Sequence, residues 1–247
     1  MTSKKSTTIS PQRINQLNTF LLRVNINSNE SLYQKSKLDL YVINEALTHT
    51  SAQAPYNHER LEFLGDAVLR LAASEFIDNK FPDMKVGERS ALRSHLVSDN
   101  WLTKVGRSLK IEQVLIVGPK ATGDKSALTT LQAEATEALI GALYECYQEL
   151  EIIHNWLIPH WIEASSKILN DPYMYNSKSA LQEWSQSNGY KLPKYEIKEL
   201  SKVHGDPKRF FCKVHMDQKI IGEGWGGSRK IAEKAAAAFA LKNIDAI

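Results

Sequence analysis

The spacing of apolar residues divides the chain into two parts with different periodicities. From about Ile14 to Lys167, apolar residues recur every three or four positions, which is the spacing of amphipathic helices. The residues that interrupt this pattern fall between the apolar runs: Pro55, Pro82, Gly118 and Pro119. The first part is therefore predicted to be an all-α domain.

The pattern changes after a short break at residues 170–177. The elements predicted beyond it are a helix at about residues 177–187, strands at about 195–201, 210–216 and 219–225, and a helix at about 229–242. This order is α-β-β-β-α. The sequence thus predicts an all-α domain at residues 13–169, followed by a small α+β domain at residues 176–245.

Charge separates the same two parts. Residues 1–175 carry 18 basic and 20 acidic side chains, a net charge of −2, whereas residues 176–247 carry 13 basic and 8 acidic side chains, a net charge of +5. A basic module joined to an acidic body is typical of proteins that bind a polyanion such as nucleic acid. The C-terminal domain is therefore the expected binding module.

Composition excludes several other classes of protein. Hydrophobic residues make up 43% of the chain and charged residues 24%, as in soluble globular proteins. No run approaches the roughly 18 apolar residues of a membrane-spanning helix, and Cys146 and Cys212 are too isolated to predict a disulfide framework or a zinc site. A cytoplasmic location is expected. The Ser- and Thr-rich N-terminus has no acid before Glu30, which leaves an organellar targeting segment as an alternative to a solvated tail.

Three acidic residues lie on one face of a predicted helix. At 100° per residue, Glu59, Glu62 and Asp66 share a narrow arc, which also contains Arg70. The positions beside this stripe are apolar, Phe63 among them. Unpaired carboxylates in such surroundings repel one another and cost on the order of several kcal/mol. A positive charge is therefore expected to neutralise them.

A second helix, predicted from Thr129 to Tyr147, repeats this arrangement with Glu134 and Glu137 among apolar residues. If the two acidic faces meet, four or five carboxylates converge, and such hard oxygen ligands suit Mg²⁺ or Mn²⁺ rather than zinc. A buried salt bridge between Arg70 and one of the acids is the structural alternative. The seven histidines show no ligand spacing, and most, including His49, are interpreted as structural.

Several segments resemble one known family. The run Glu59-Arg-Leu-Glu-Phe-Leu-Gly-Asp-Ala-Val68 resembles the signature of the ribonuclease III family almost residue for residue. Further segments match in order: Ala46-Leu-Thr-His-Thr-Ser51, Leu92-Arg93, Leu96-Val-Ser98 and Glu137-Ala-Leu-Ile-Gly-Ala-Leu-Tyr144. The C-terminal module resembles a double-stranded-RNA-binding domain, so the resemblance covers the chain from about Arg13 onward.

The resemblance implies a homodimeric endoribonuclease that cuts double-stranded RNA. Each subunit would contribute one acidic cluster and cut one strand, by a two-metal mechanism with Mg²⁺, for which Mn²⁺ can substitute. The products would carry 5′-phosphate and 3′-hydroxyl ends with short 3′ overhangs. By position, Glu59 would lie near the RNA in the catalytic site, and the metal ligands would be Glu62, Asp66, Glu134 and Glu137.

The expected task of such an enzyme is the processing of ribosomal, messenger and other structured RNA precursors. A family member that binds duplex RNA without cutting it is the main alternative, and a small-molecule metal phosphohydrolase is a third, against which the RNA-binding module argues. One departure bears on this choice, because the family usually has Asp where this chain has Glu134. The additional methylene moves the carboxylate by about 1 Å, and displacements of that size can cost on the order of 10²-fold in rate.

The first helix of the C-terminal module carries polar residues at the family's RNA-contacting positions. The residues that match positions reaching the 2′-hydroxyls of the minor groove are Ser179, Gln182 and Glu183. An ordinary polar surface helix would look similar. The loop at residues 203–209 matches the family only loosely, and His204 or Lys208 would have to replace a missing histidine.

The last helix of this module begins with basic residues. Arg229 and Lys230, with Lys234 one turn later, would bind phosphate together with the helix N-terminal amides, although a solvated cationic face is the alternative. The preceding Gly222-x-Gly224-x-x-Gly227 fits the dinucleotide-binding pattern. The twenty residues that follow leave no room for the second parallel strand of that fold. We therefore interpret these glycines as a turn and a close approach to RNA.

Overall fold

The computed structural model divides the chain into two compact units, residues 1–164 and 165–247. It describes residues 9–24, 38–119, 125–170, 172–203 and 205–244. The first eight residues of the Ser- and Thr-rich N-terminus, and His204, lie outside the described residues.

Helices make up the described part of the first unit. They are α1 (Pro11–Leu21), α2 (Leu40–Ala46), α3 (Glu59–Lys80), α4 (Val86–Leu96), α5 (Asp99–Ser108), α6 (Lys125–Tyr147) and α7 (Glu151–Leu169). Short 3₁₀ turns occur at Leu22–Val24, Thr50–Ala52 and Ile111–Gln113. The predicted all-α class is confirmed, and Pro55, Pro82 and Gly118 lie between helices as expected. The division between the units falls inside α7, and the bounds predicted for the two domains stay a prediction.

The second unit has the predicted α-β-β-β-α order. Its elements are α8 (Pro172–Ser187), β1 (Lys194–Glu199), β2 (Phe210–Met216), β3 (Lys219–Gly226) and α9 (Arg229–Lys242). The strands form one antiparallel sheet in the order β1-β2-β3. Helix α8 begins at Pro172, five residues before the predicted start, because proline suits the first turn of a helix, where its missing N–H is not needed.

The three glycines at alternate positions of β3 bring that strand close to α9. A Cβ at Gly222 would lie 2.4 Å from the Ala236 carbonyl oxygen, and a Cβ at Gly224 would lie 2.3 Å from the Ala236 amide nitrogen. Gly226 is equally close to the start of α9. The interpretation of Gly222 and Gly224 as a turn and an approach to RNA is therefore wrong, since both pack against the alanine face of a helix.

The centre of the first unit is the contact between α3 and α6. Gly65 and Gly141 face each other there, and a Cβ at Gly65 would lie 1.9 Å from the Glu137 carbonyl oxygen. A Cβ at Gly141 would lie 2.1 Å from the Leu61 carbonyl oxygen. The two backbones thus touch without intervening side chains, which is possible only with glycine at both positions.

Among the described residues, no helix combines the length and apolar character needed to cross a membrane.

Replacing Gly65 with Ala should destabilise the first unit, because α3 and α6 would have to separate to admit the new Cβ. We expect the free energy of unfolding, measured by urea denaturation, to fall by about 2–3 kcal/mol, as for overpacked cores. Gly87→Ala in α4 is the matched control, since no atom outside its own stretch of helix lies within 4 Å of its Cβ position, and its stability should stay equal or rise slightly. Equal stability of the two variants would contradict the close contact.

Candidate active site

Four carboxylates converge where α3 crosses α6. They belong to Glu62 and Asp66 of α3 and to Glu134 and Glu137 of α6. Together they line an open depression, whose other lining residues are His49, Thr50, His58, Glu59 and Phe63. Gly65 lies between the two acids along α3, so the backbone contact with α6 is next to the cluster. The structure therefore brings together all five acidic residues that the sequence singled out.

Glu137 is the acid whose ionisation is most strongly disfavoured. Burial, and after it the negative charges of Asp66 and Glu62, together raise the pKa of Glu137 to about 8. A carboxyl group with this pKa keeps its proton at neutral pH unless a positive charge stabilises the carboxylate. The ionised cluster thus requires a cation close to Glu137.

Asp66 is already paired with a cation. Arg70 Nε donates to both carboxylate oxygens of Asp66, at 2.8 and 2.9 Å, and these hydrogen bonds lower the pKa of Asp66. The side chain of Asp66 is 44% exposed and that of Arg70 is 55% exposed. The salt bridge considered as the structural alternative therefore does form, but at the surface. Exposed pairs contribute only about 0–1 kcal/mol. Arg70 therefore neutralises only one of the four acids and leaves the other three without its charge.

Glu134 and Glu62 share a histidine. His58 Nε2 lies 3.2 Å from Glu62 Oε2 and 3.7 Å from Glu134 Oε2. The hydrogen bond from His58 lowers the pKa of Glu134 in spite of its burial. Burial raises the pKa of Glu62, against the opposing effect of His58. Two acids on different helices are thus linked through one imidazole.

The ring of His58 is buried and fixed by Thr48. The backbone N–H of His58 donates to the Thr48 carbonyl oxygen at 2.9 Å, and Nδ1 of the ring faces the same oxygen at 3.3 Å. Thr48 is itself placed by an isolated parallel β-bridge to Ile116, within the otherwise helical described part of this unit. Burial lowers the pKa of His58, but the hydrogen bond to Glu134 and the charge of Glu62 outweigh this effect and raise it.

His49 stacks on His58 and contacts the same cluster. The two ring centroids are 4.9 Å apart, and His49 Nε2 lies 3.5 Å from Glu134 Oε2. Burial lowers the pKa of His49, and the nearby charge of His58 lowers it further. A neutral His49 can donate one hydrogen bond to Glu134.

Sequence reasoning missed three residues that act on the cluster. His49 and His58 lack ligand spacing along the chain, and they meet where the His58 backbone N–H donates to the carbonyl oxygen of Thr48, the neighbour of His49. Asp99, the first residue of α5, contributes its negative charge to the raised pKa values of Glu62 and Glu137. The position of His58 directly before the acidic stripe was the one available signal, and no local pattern indicated Asp99.

In the second unit, the predicted RNA-binding residues lie on α8 and α9. Gln182, Glu183, Arg229 and Lys230 are exposed, whereas Ser179 and Lys234 are partly buried. The Ser177 hydroxyl donates to the Lys234 carbonyl oxygen at 2.8 Å, which ties the two helices together. Ser228 caps α9 by accepting from the Ile231 N–H, and the first amides of any helix have no partner within it. The start of α9 thus combines exposed basic side chains with amides that can bind an anion.

Two family models match the chain. The model described as ribonuclease-III-like matches residues 39–157, and the model described as a double-stranded RNA binding motif matches residues 177–244. The first range contains the acidic cluster, and the second contains all the predicted RNA-binding residues. Each matched range therefore coincides with one of the two sites described above.

Known proteins are similar to this chain over most of its length. It is 52% identical to Ribonuclease 3 of Prochlorococcus marinus, over 96% of this chain and 96% of that protein. It is 36% identical to Ribonuclease 3 2 of Synechocystis sp., over 95% of this chain and 93% of that protein. Among solved structures, a nuclease domain of ribonuclease III from Campylobacter jejuni covers 56% of this chain and 96% of that chain, with 28% identity and a TM-score of 0.47.

The raised pKa of Glu137 should make stability depend on pH when divalent cations are absent. A carboxyl group that binds its proton more tightly in the folded state lowers stability as the pH rises from its ordinary pKa of 4.5 to about 8. We therefore expect Glu137→Gln, measured by chemical denaturation in EDTA, to be more stable than the wild type at pH 8. The difference should shrink as the pH falls toward about 5.

Asp66→Asn is the contrasting variant. Because hydrogen bonds from Arg70 lower the pKa of Asp66, its carboxylate contributes stability above its ordinary pKa that is lost on acidification. This variant should therefore be less stable than the wild type at pH 8. A Glu137→Gln protein that is also less stable at pH 8 would contradict the burial of an uncompensated carboxyl group.

Proposed function

Because the chain belongs to the ribonuclease III family and is therefore an endoribonuclease of double-stranded RNA, we propose that it cuts by two-metal-ion hydrolysis at the acidic cluster. The observation that carries this proposal is the meeting of four carboxylates from α3 and α6, of which Glu137 has its pKa raised to about 8 by burial and by its acidic neighbours. The proposed metal ligands are Glu62, Asp66, Glu134 and Glu137.

The donor set fits divalent cations that prefer oxygen. Arg70 is engaged by Asp66, and His58 lies between Glu62 and Glu134, so Glu137 still needs a positive charge. Carboxylate oxygens favour Mg²⁺ and Mn²⁺, and we propose Mg²⁺ as the cofactor, with Mn²⁺ as a substitute. When bound, the cations would activate the attacking water and stabilise the departing 3′ oxygen, which yields 5′-phosphate and 3′-hydroxyl ends.

The protein's own contribution is to hold the carboxylates in place before RNA arrives. Glu62 and Asp66 are carried by α3, and the absence of a side chain at Gly65 lets this helix lie directly against α6. Glu59 is exposed one turn before Glu62 and faces the depression, where it would lie near the RNA backbone. Such prior organisation is the main way in which a protein accelerates phosphoryl transfer.

Glu134, which stands where the family usually has Asp, is supported on both sides. His58 Nε2 and His49 Nε2 lie 3.7 and 3.5 Å from the same oxygen, Glu134 Oε2. Two imidazoles thus restrict the longer side chain to a position in the cluster. This arrangement favours an active enzyme over the alternative of a protein that only binds duplex RNA.

The C-terminal unit would recognise the duplex by its shape. The exposed residues of α8 would contact 2′-hydroxyls, and the basic start of α9 would bind phosphates. Such recognition is largely independent of base sequence, which suits processing of ribosomal and other structured RNA precursors. That task, like a cytoplasmic location, stays a prediction.

A homodimer would cover an apolar stripe on α3. Phe63, Ala67 and Leu71 are spaced four residues apart, so they share one exposed face, on which Phe63 is 83% and Leu71 is 53% exposed. Side chains of this kind favour burial against another surface. The stripe adjoins Glu62 and Asp66, so a second copy bound here would bring a second acidic cluster nearby, one for each RNA strand.

Removing one carboxylate should abolish cleavage while RNA binding survives. With Mg²⁺ and a long labelled RNA duplex, we expect Glu137→Ala to cut at least about 100-fold more slowly than the wild type, the scale on which lost metal contacts act. Gel-shift binding in Ca²⁺ should persist, because α8 and α9 carry the RNA contacts. Glu151→Ala, an exposed acid at the start of α7, should cut normally.

Glu134→Asp in the same assay separates the enzyme from the binding-only alternative. If the wild type cuts the duplex and Glu134→Asp changes the rate by less than about tenfold, the result would support Glu134 as a working member of the catalytic site. Binding without cutting by the wild type, with cutting restored in Glu134→Asp, would establish the alternative. A wild-type protein that neither binds nor cuts the duplex would contradict the whole proposal.

Binding to the duplex should depend on salt through α9. We expect Arg229→Ala and Lys230→Ala each to weaken binding for all sequences and to reduce the slope of log K against log salt concentration by about 1. Lys219→Ala is the control, because Lys219 begins the eight-residue strand β3. It lies about 23 Å from the other end of that strand, which is the end close to the start of α9. Unchanged slopes in both α9 variants would contradict phosphate binding there.

Sedimentation should report the proposed homodimer. We expect the wild type to sediment as a dimer and Phe63→Asp as a monomer, because a charge in the apolar stripe would have to be buried. Leu22→Asp is the matched control, since Leu22 is 64% exposed but lies outside the stripe. A wild-type monomer, or an unchanged dimer in Phe63→Asp, would exclude this interface.

A further inference from the structure

The buried imidazole of His58 occupies a place in the acidic cluster where a cation ligand is expected. The residue is 4% exposed, and its Nε2 lies 3.2 Å from Glu62 Oε2 and 3.7 Å from Glu134 Oε2. Donor atoms that bind one divalent cation at about 2.1 Å lie about 3.0–3.4 Å from one another. The nitrogen therefore lies from each of the two oxygens at close to the separation expected for two ligands of one ion.

The opposite edge of the ring has the support typical of a metal-bound histidine. Nδ1 of His58 faces the Thr48 carbonyl oxygen at 3.3 Å, and a carbonyl can only accept, so Nδ1 carries a proton. Without a cation, Nε2 also carries a proton and faces Glu62 and Glu134 as a donor. A bound cation would displace that proton and take the Nε2 lone pair, while Nδ1 keeps its own proton and the ring stays neutral. A backbone carbonyl behind the imidazole fixes the tautomer and orientation of many metal ligands.

His49 differs from His58 in this respect. The donor atoms of His49, His58 and Glu134 lie within 4.8 Å of one another, which alone would suit a site with two histidines. However, Nδ1 of His49 accepts from the Ser51 backbone N–H at 3.0 Å, so the proton of the neutral ring lies on Nε2. This N–H faces Glu134, and a cation could replace its proton only by turning the ring into an imidazolate, because Nδ1 carries no proton. His49 is therefore a positioning residue for Glu134.

We propose that His58 is a nitrogen ligand of one divalent cation, shared with Glu62 and Glu134, and that it shifts the preference of this site from Mg²⁺ toward Mn²⁺ and Co²⁺. The inference rests on the proposed function, since the cation is one of those assigned to the acidic cluster. Mg²⁺ strongly prefers oxygen, whereas an imidazole nitrogen adds affinity along the series from Mn²⁺ to Co²⁺.

Pulsed electron paramagnetic resonance of Mn²⁺ bound to the full-length protein tests this ligand directly. A nitrogen coordinated to Mn²⁺ modulates the electron spin echo. We expect ¹⁴N modulation in the wild type and its replacement by ¹⁵N modulation when all histidines are ¹⁵N-labelled, which identifies a histidine without any substitution. His58→Asn should lose the modulation, and the matched variant His49→Asn should keep it.

Calorimetry gives a second readout that does not depend on activity. We expect His58→Asn to bind Co²⁺ at least about tenfold more weakly than the wild type, and Mg²⁺ less than about threefold more weakly. His49→Asn should change the ratio of the two affinities less than about threefold. Equal losses for Co²⁺ and Mg²⁺ in His58→Asn would overturn the proposed preference.

The outcomes separate this inference from the proposed function. Bound Mn²⁺ without nitrogen modulation would overturn the role of His58 and leave the carboxylate site intact. Modulation lost in His49→Asn but kept in His58→Asn would transfer the role to His49 and overturn the assignment. A wild-type protein that binds no Mn²⁺ at all would remove the cation site itself, and the inference with it.

Discussion

The contact between the backbones of α3 and α6 is the constraint on which the acidic cluster depends. A Cβ at Gly65 or Gly141 would lie 1.9 or 2.1 Å from a carbonyl oxygen of the opposite helix, so neither helix can move closer or carry a side chain there. The carbonyls belong to Glu137, a member of the cluster, and to Leu61, the neighbour of Glu62. The packing of the two helices therefore sets the separation of the acids directly.

This arrangement places like charges together, and the structure only partly compensates for them. Arg70 pairs with Asp66 at the surface, and His58 lies between Glu62 and Glu134, but burial and acidic neighbours still raise the pKa of Glu137 to about 8. An apolar helix contact would hold the fold together without such repulsion. The unfavourable electrostatics are what a divalent cation would relieve, which links the stability of this region to the function proposed for it.

The sequence predicted the elements and the acidic faces better than it predicted how they meet. Helical periodicity placed Glu62 and Asp66 on one face because that spacing is local. It did not reveal the link from His58 to Glu134, which depends on a fold that joins distant segments. Phe63 shows the same limit, since periodicity identifies which residues share a face but not which face is covered. The glycines of β3 were misinterpreted because the pattern within the strand does not show what packs against it, which is the alanine face of α9.

At the crossing of α3 and α6, the proposed role of the carboxylates is to bind divalent cations. Anomalous diffraction from crystals of the full chain grown with Mn²⁺ locates such ions without reference to activity. We expect anomalous peaks within about 2.5 Å of carboxylate oxygens contributed by both helices, with Glu137 among the ligands. Crystals that hold Mn²⁺ only elsewhere, or an unoccupied cluster at saturating Mn²⁺, would contradict this role.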